Sequence, residues 1–335
     1  MKALKALSLV FLFWCLVIKI AISFSLDKKN IEKITSNFET IEIEQSINEK
    51  ELISLIGEAE VLFGGIFSPK IFEPAKKLRW IQTTGAGVEQ FLIPQVVNSQ
   101  VVVTNAGTIF SSAMAEHVFA LMLSLTKKMR FFNHNQETKR WDRLGGYLGQ
   151  SLDGLKGKTV GIVGFGSVGQ KVARIAKAFD MKVITNKDAP EKPKYVDKMV
   201  SRQNLDLLLA KSDFVVLTLP YTFESEGLIG QEQLKRMKKS SFLINISRGK
   251  IVKEDALVEA LEEGWISGAG LDVFEQEPLP ATSKLWEFSN VVITPHMAGV
   301  TKHFLDNITD VFCENFKRFQ NNEPLNFVVN KKKGY

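Results

Sequence analysis

Cysteine is almost absent from this chain of 335 residues, which contains only Cys15 and Cys313. Two cysteines cannot build a disulfide framework, and these two lack the spacing of metal ligands. We therefore expect no metal site. Because so few cysteines favour a reducing compartment, we also expect a cytoplasmic protein.

A strong excess of one charge is also lacking. The chain has 43 Lys and Arg against 37 Asp and Glu, a net charge of +6, and its lysines are scattered or lie at the C-terminus in "NKKKGY". No face collects basic and aromatic residues together, so we expect no nucleic-acid partner. With 45% hydrophobic and 24% charged residues, the composition is that of a globular protein long enough for two domains.

The apolar run near the N-terminus is too short for a membrane span. It extends from Ala6 to Ile18, whereas a bilayer-spanning helix needs about 20 residues. Lysines at positions 2 and 5 precede it, as in a secretory signal, but cleavage at Ala21–Ser23 would cut the first predicted strand. An anchor, a signal and an inert extension all remain open for residues 1–18. We favour the extension, and expect membrane contact only if the segment is an anchor.

From Lys19 onward the sequence alternates between strand-like and helix-like segments. The first series of predicted strands covers 19–25, 40–44, 59–65, 78–85 and 101–105. The second series consists of "KTVGIVG", "MKVIT", "DFVVLTLP", "SFLINIS", "GAGLDVF" and "NVVITP". Helical stretches such as 48–59 lie between strands, and this alternation predicts parallel sheets covered by helices on both faces.

Three further segments have a distinct pattern. Residues 112–129 are apolar on nearly all sides, which predicts a helix buried between domains or subunits. A final predicted helix covers 304–319, and one stripe of it carries Phe304, Ile308, Val311, Phe312 and Phe319. The tail "NEPLNFVVN" resembles a further strand that rejoins an existing sheet.

A glycine-rich motif, Gly164-x-Gly166-x-x-Gly169, lies between a predicted strand and an amphipathic helix. One glycine permits the tight turn, one lets the backbone approach a pyrophosphate, and one lets the helix pack on the strand. The helix N-terminus then offers N–H groups and a positive dipole to the phosphates. On its own the motif is weak evidence for a dinucleotide site. Here a predicted strand precedes it and another follows the helix, and in this context it predicts a dinucleotide site.

The end of the following strand reads "VITNKDAP" and bears on the choice of coenzyme. An acidic residue at this place accepts the ribose hydroxyls of NAD, whereas a basic residue accommodates the 2′-phosphate of NADP. Lys187 occupies the expected position, and Asp188 would replace it if the register differs by one residue. We favour NADP(H) over NAD(H).

Polar residues follow several of the later predicted strands. Arg248 and Asp272 come directly after strands, Glu277 lies in the loop after Asp272, and His296 follows the last strand. In an open parallel sheet the ligand crevice lies outside the carboxyl ends of the strands. We therefore expect these four residues to converge on one crevice. A surface ion pair, a solvated carboxylate or a packing histidine could explain each residue alone.

From residue 19 to the C-terminus the chain resembles the D-isomer-specific 2-hydroxyacid dehydrogenase family. The similar motifs are "GAGVEQF", "MAEHVFALML", "GIVGFGSVGQ", "LP" at 219–220, "INISRGKIVKEDAL", "GAGLDVFEQEPLP" and "VVITPHMAG". The resemblance implies two flavodoxin/Rossmann-like domains with a cleft between them. It implies a substrate domain at 19–106 plus 299–335, a dinucleotide domain at 107–298, and a homodimer through helix 112–129.

The resemblance also implies roles for individual residues. Arg248 would be the catalytic arginine that binds the substrate, and Glu277 would be the catalytic acid paired with the acid/base His296. The backbone at Ala86 and Gly87 would hold the substrate carboxylate. Asp272 would lie near the nicotinamide. The coenzyme contacts would be Gly164, Phe165, Gly166, Ser167, Val168, Gly169, Lys187, Leu219, Pro220, Ile246, Ser247 and Asp272.

These residues indicate an enzyme that reduces a small 2-keto acid, of the glyoxylate or hydroxypyruvate type, to the D-2-hydroxy acid. Arginine suits this chemistry because its forked donors grip carboxylate and carbonyl oxygens together. A dinucleotide-sensing, corepressor-like protein on the same scaffold remains the alternative, because such proteins keep the Arg, Glu and His set. An aldehyde- or formate-type dehydrogenase would need different polar neighbours around the histidine.

Overall fold

The computed structural model describes residues 17–142, 152–187 and 192–335. The strands are β1 (Ile18–Ile22), β2 (Ile41–Gln45), β3 (Val61–Gly64), β4 (Trp80–Thr83), β5 (Val102–Thr104), β6 (Thr159–Val163), β7 (Lys182–Asn186), β8 (Lys198–Val200), β9 (Phe214–Leu217), β10 (Phe242–Asn245), β11 (Gly268–Leu271) and β12 (Val291–Ile293). The helices are α1 (Lys28–Asn37), α2 (Glu49–Ile56), α3 (Pro69–Phe72), α4 (Pro94–Val97), α5 (Ser111–Thr126), α6 (Met129–Glu137), α7 (Ser167–Ala178), α8 (Leu205–Lys211), α9 (Gln231–Arg236), α10 (Glu254–Glu262) and α11 (Phe304–Gln320).

Two parallel sheets organise the described chain. The first has five strands in the order β2-β1-β3-β4-β5, and the second has seven in the order β12-β11-β10-β9-β6-β7-β8. The first order is that of flavodoxin-like sheets, and the second is that of the Rossmann fold with one strand added. The predicted fold class, two α/β domains with parallel sheets, is confirmed.

The order of the second sheet reverses between β6 and β9, which pair in parallel from Val160 to Val163. Connections leave the carboxyl ends of these two strands toward opposite sides, and this opens a crevice at that edge. The glycine-rich motif follows β6 directly, so it lies at the reversal point.

The chain divides into two compact units whose limits differ slightly from the predicted domains. The first unit contains the described residues up to Thr84, then Gln90–Asn105 and Ile308–Val328. The second contains Gly85–Glu89, Ala106–Asn307 and Val329–Tyr335. The loop predicted to hold the substrate carboxylate therefore groups with the second unit, and so does the segment 299–307.

An aromatic stack forms the centre of the first unit. The ring of Phe312 from α11 stacks on Phe63 at 4.4 Å and on Trp80 at 5.3 Å between centroids. Phe316, one turn later, lies 5.7 Å from Phe312. The indole N–H of Trp80 donates to Thr104 at 2.8 Å, so its polar atom is satisfied. Ile308, Phe312 and Phe319 of the predicted stripe thus belong to this core, and Phe316 joins them. Val311 is only half-buried, and Phe304 stacks on Phe110 in the second unit.

The second sheet is covered by apolar side chains on two faces. One cluster packs α8, α9 and α10 around residues such as Leu208, Leu257 and Leu271. The other packs α5 and α7 around residues such as Met122 and Val172. Burial on both faces explains the nearly continuous apolar runs of β9 and β10.

Several predicted elements need correction. The apolar helix predicted over 112–129 ends at Thr126, because Lys128 adopts a φ of +54° and a separate helix, α6, begins at Met129. The tail predicted as a strand is wrong as an element: it makes one antiparallel bridge, from Val328 to Thr104. Phe327, with a φ of +58°, interrupts the extended backbone there.

The first strand begins at Ile18, the last residue that we assigned to the N-terminal extension. β1 pairs with β2 on one side and with β3 on the other, and Ala21 and Ile22 are buried. Cleavage at Ala21–Ser23 would therefore remove an interior strand. Residues 1–16, which carry most of the apolar run, lie outside the described residues.

Candidate active site

The glycine-rich turn joins β6 to α7. Gly164 has a φ of +89°, and a Cβ on it would lie 2.8 Å from the Leu219 backbone, so this place requires glycine. A Cβ on Gly169 would come within 2.6 Å of the Gly164 carbonyl oxygen, which shows that α7 packs directly on the turn. A Cβ on Gly166 would meet no atom of the described residues within 4 Å. The surface over Gly166 is therefore open to a ligand.

The N-terminus of α7 completes this cradle. The helix begins at Ser167, directly after Gly166, and no side chain caps it. Uncapped N–H groups and the positive end of a helix dipole favour an anion. The open glycine, the tight turn and the uncapped helix together fit the pyrophosphate of a dinucleotide. Phe165 is buried and Val168 half-buried beside the turn.

The end of β7 lies next to the same turn. Asn186, the last residue of β7, accepts a hydrogen bond from the Gly164 N–H at 3.2 Å. The ammonium of Lys187 lies 5.9 Å from the ring centroid of Phe165. Its main-chain N–H donates to the Val200 carbonyl at 3.1 Å, which ties Lys187 to β8. Asp188, the alternative residue for this position, lies outside the described residues.

Leu219 and Pro220 follow β9, and Ile246 and Ser247 follow β10. The two strands pair in parallel, so both exits lie at the same edge of the sheet as the glycine-rich turn. Ile246 and Ser247 are buried, and the Ser247 hydroxyl donates to Asn245 at 2.8 Å. Their side chains are thus held inside the protein at this edge.

Asp272 follows β11, and its side chain is only 1% exposed. Its carboxylate accepts three hydrogen bonds, from the Thr294 hydroxyl at 2.5 Å and from the N–H groups of Met297 and Ala298 at 2.8 and 2.9 Å. Its main-chain carbonyl accepts from the His296 N–H at 2.8 Å. The carboxylate that we predicted near the nicotinamide therefore fixes the segment 294–298, which carries His296.

His296 lies three residues after β12 and pairs with Glu277. Its backbone has a φ of +55°, a conformation that few residues other than glycine adopt, and the hydrogen bonds to Asp272 hold it there. The imidazole Nδ1 lies 2.7 Å from Glu277 Oε2. Glu277 Oε1 accepts from the Phe274 N–H at 3.0 Å, which orients the carboxylate. The His296 side chain is 49% exposed, so its ring remains accessible while Nδ1 is held.

Arg248 lies between β10 and the short 3-10 turn Gly249–Ile251. Its Nε is 3.1 Å from Glu89 Oε1 and its Nη2 is 3.4 Å from Glu89 Oε2. Its Nη1 donates to the Ser247 carbonyl at 2.6 Å. A Cβ on Gly87 would lie 1.4 Å from Nη2. The guanidinium therefore rests against the backbone of Gly87, and Ala86 beside it is exposed.

The structure thus brings the predicted residues together in two contact groups of the second unit. One group joins Arg248 to the loop that contains Ala86 and Gly87, and the other joins His296 to Glu277. Arg248 and His296 follow β10 and β12, two strands of the same parallel sheet, so both groups lie at its carboxyl edge.

The remaining histidines lie elsewhere. His134 and His303 are exposed, as the polar sequence around them indicates. His117 on α5 is half-buried, and its Nε2 lies 2.9 Å from the Thr294 hydroxyl. Thr294 in turn donates to Asp272, so His117 belongs to the network that supports the segment before His296.

Three residues of the site were missed from the sequence. Glu89 lies in the motif "GAGVEQF", and the rule that directed attention to polar residues after strands could have found it. Asn186 and Thr294 are uncharged residues at the ends of strands, and their roles depend on which backbone atoms come near them. The sequence carries no comparable signal for these two residues.

Among residues 17–142, 152–187 and 192–335, no helix combines the length and the apolar character that a bilayer crossing requires.

The parallel sheets and the glycine-rich turn are typical of a dinucleotide-dependent oxidoreductase, and comparison with known proteins agrees with this class. The family model of the D-isomer specific 2-hydroxyacid dehydrogenase NAD binding domain matches residues 119–298. The glyoxylate reductase of Pyrococcus furiosus is 33% identical over 328 residues, which cover 93% of this chain and 95% of that protein.

Two solved structures are similar over almost their full length. A D-isomer specific 2-hydroxyacid dehydrogenase family protein from Aeromonas salmonicida has a TM-score of 0.82 and 31% identity, and the match covers 94% of this chain and 99% of that one. An NADPH-dependent glyoxylate/hydroxypyruvate reductase from Sinorhizobium meliloti, in complex with NADP and sulfate, has a TM-score of 0.81 and 25% identity, with 95% and 100% covered. This chain belongs to the D-isomer specific 2-hydroxyacid dehydrogenase family and is an NAD(P)-dependent oxidoreductase.

Proposed function

We propose that this enzyme reduces a small 2-keto acid, of the glyoxylate or hydroxypyruvate type, to the D-2-hydroxy acid. The observation that carries the proposal is the contact of 2.7 Å between His296 Nδ1 and Glu277. It holds an accessible imidazole at the carboxyl edge of a sheet whose glycine-rich turn fits a dinucleotide. The relatives named as glyoxylate reductases support the substrate class.

Arg248 binds the substrate in this proposal. Its guanidinium offers parallel N–H groups that grip a carboxylate or keto oxygen with a geometry that lysine cannot match. The backbone of Ala86 and Gly87, against which Arg248 rests, forms the other side of the carboxylate site. The absence of a Cβ at Gly87 permits this close approach.

His296 donates a proton to the carbonyl oxygen during reduction. The nicotinamide, when bound, supplies the hydride. Glu277 accepts a hydrogen bond from Nδ1 and so fixes the orientation of the ring. General acid–base help of this kind is typically worth about 10²–10⁴-fold in rate.

We further propose that Lys187 favours NADP(H) over NAD(H). Its ammonium follows the strand after the glycine-rich turn and lies beside Phe165 within that turn. A cation at this place attracts the 2′-phosphate of NADP, whereas NAD needs an acceptor for its ribose hydroxyls. The homodimer through α5 and the cytoplasmic location also stay predictions.

The experiment is to follow the absorbance of NADPH and NADH with a panel of 2-keto acids that includes glyoxylate and hydroxypyruvate. The wild-type protein should oxidise the coenzyme. His296→Ala should lower kcat by about 10²–10⁴-fold and leave the dissociation constant of the coenzyme unchanged, because His296 lies outside the glycine-rich turn. His134→Ala, which removes an exposed histidine, is the matched control and should keep full activity.

Two outcomes would contradict the proposal. Near-normal turnover by His296→Ala would remove the histidine from the reaction. Tight coenzyme binding with no turnover of any 2-keto acid would instead favour a dinucleotide-sensing protein.

A further inference from the structure

The guanidinium of Arg248 is held by oxygen atoms of the protein itself. Glu89 contacts Nε at 3.1 Å and Nη2 at 3.4 Å, so its two oxygens lie along one edge of the planar group. The Ser247 carbonyl accepts from Nη1 at 2.6 Å on the other side. Glu89 has no role in the reaction proposed above, yet it contacts the residue that binds the substrate.

The contacts with Glu89 and Ser247 leave part of the Arg248 guanidinium for a ligand. A guanidinium has five N–H groups, and Glu89 and Ser247 engage one each on Nε, Nη2 and Nη1. Among the contacts of the described residues, one N–H on Nη1 and one on Nη2 keep no partner. Because Glu89 lies along the edge formed by Nε and Nη2, the second N–H of Nη2 points away from Glu89. The remaining N–H groups of Nη1 and Nη2 can donate to the oxygens of a carboxylate or of a keto acid.

The loop that carries Glu89 is fixed against the same group. A Cβ on Gly87 would lie 1.4 Å from Arg248 Nη2 and 2.7 Å from Glu89 Oε2, so these three residues are packed together. The Gly85 carbonyl accepts from the Ala106 N–H at 2.9 Å, which anchors the start of the loop. Both charged side chains are about one-third exposed, at 29% for Arg248 and 34% for Glu89.

Glu89 could act on substrate binding in two opposite ways. As a competitor it would occupy the fork in place of the substrate carboxylate, and its removal would tighten binding. As a support it would fix the plane of the guanidinium, and its removal would weaken binding. The geometry favours the supporting role. Glu89 contacts the edge formed by Nε and Nη2, and one N–H of Nη1 and one of Nη2 remain for the substrate.

We propose that Glu89 is a positioning residue that orients Arg248 for the carboxylate and keto oxygens of the substrate. The inference rests on the proposed function for the identity of that substrate. Arginine otherwise has large rotamer freedom, and the pairing with a carboxylate removes that freedom before the substrate binds.

Binding of oxamate tests the inference without relying on turnover, because oxamate carries a carboxylate and an adjacent carbonyl. Its dissociation constant is measured by calorimetry in the presence of saturating NADPH, for the wild-type protein and for Glu89→Ala, Glu89→Gln and Glu89→Asp. KM and kcat for the best 2-keto acid are measured in parallel. Glu262→Ala, which breaks the exposed ion pair with Lys284, is the matched control.

Glu89→Ala should raise the dissociation constant of oxamate and the KM by roughly tenfold. Glu89→Asp, which keeps the charge on a shorter side chain, should recover part of the loss. Glu89→Gln keeps one acceptor and should fall between Ala and wild type. The melting temperature and the affinity for NADPH should not change, which separates positioning from a purely structural role.

Tighter oxamate binding or a lower KM in Glu89→Ala would identify a competitor and overturn the inference, and unchanged values would overturn it as well. If Glu89→Ala does not fold, Glu89→Gln and Gly87→Ala decide instead. Gly87→Ala places a Cβ where the Arg248 guanidinium lies, so it should also raise the dissociation constant of oxamate. A wild-type protein that binds oxamate, weakened by Glu89→Ala, but turns over no 2-keto acid would refute the proposed function and keep the inference.

Discussion

At the scale of single residues, the proposed preference for NADP(H) rests on Lys187. It follows β7, its main chain is tied to β8 through Val200, and its ammonium lies beside Phe165 in the glycine-rich turn. The backbone contact fixes where the side chain begins, so the charge of residue 187 acts at a defined place. The sequence therefore gives the charge of residue 187, and the pairing of β7 with β8 fixes its position.

Lys187→Asp should shift the ratio of kcat/KM for NADPH to that for NADH toward NADH by roughly tenfold or more. The reason is that the substitution replaces attraction of the 2′-phosphate by repulsion and adds an acceptor for ribose hydroxyls. The measurement is steady-state kinetics with both coenzymes. Lys182→Asp, at the opposite end of the same strand, is the control, and a ratio that does not change in Lys187→Asp would remove the argument for NADP(H).

At the scale of elements, Asp197 connects β7, β8 and the helix α7. Its carboxylate lies just before β8 and accepts from the Val183 N–H of β7 at 2.7 Å and from Lys177 of α7. Burial acts to raise the pKa of Asp197, but the hydrogen bonds from Lys177 and Val183 outweigh it and hold the pKa below its usual value. β8, which sequence patterns did not predict, is supported at this point.

Asp197→Asn should lower the free energy of unfolding by about 1 kcal/mol at pH 7, after allowance for solvent screening of a half-exposed pair. Because the pKa of Asp197 is lower in the folded state, its ionised form stabilises the fold fully at pH values above the pKa of the unfolded state, about 3.9. This stabilisation is lost as the pH falls through the pKa of the folded state. The difference between variant and wild type should therefore shrink at pH 3. Urea unfolding at both pH values measures it.

The control for Asp197 is Asp180→Asn. Asp180 is 71% exposed and lies 3.8 Å from Lys156, so its loss should change little at either pH. If Asp197→Asn lowers the free energy of unfolding equally at pH 7 and pH 3, the charge of Asp197 does not contribute to stability.

At the scale of the whole molecule, the prediction concerns assembly. The resemblance to the family predicts a homodimer through α5. One side of this helix packs on α7 and the second sheet through residues such as Val118 and Met122. Ser112, Glu116 and Ala120 are exposed at four-residue spacing, so they share the opposite face of the helix.

Ala120→Arg should convert a dimer into a monomer, because a long charged side chain replaces a small one on the predicted contact face. Sedimentation equilibrium should give twice the chain mass of 37.6 kDa for the wild type and the single mass for the variant. Ala210→Arg, at an exposed alanine of α8, is the control. A dimer that persists in Ala120→Arg would exclude this face as the interface.

The periodic features of this protein follow from the order of its residues alone. Alternating strands and helices predicted parallel sheets, and the glycine spacing predicted the turn before α7, because these patterns record local backbone geometry and burial. Arg248 and His296 were predicted as site residues because polar residues that follow parallel strands lie at one edge of the sheet. Glu277 was predicted because it lies in the loop after β11.

Which side-chain and backbone atoms come into contact depends on the folded chain as a whole. Glu89 is 159 residues from Arg248 in the chain, and Asp272 faces the segment 294–298 rather than an open surface. The left-handed backbone of His296 is likewise held by the hydrogen bond that its N–H donates to the Asp272 carbonyl. Such contacts join distant segments through hydrogen bonds whose geometry local patterns do not encode, so they follow from the packed fold and not from the order of residues.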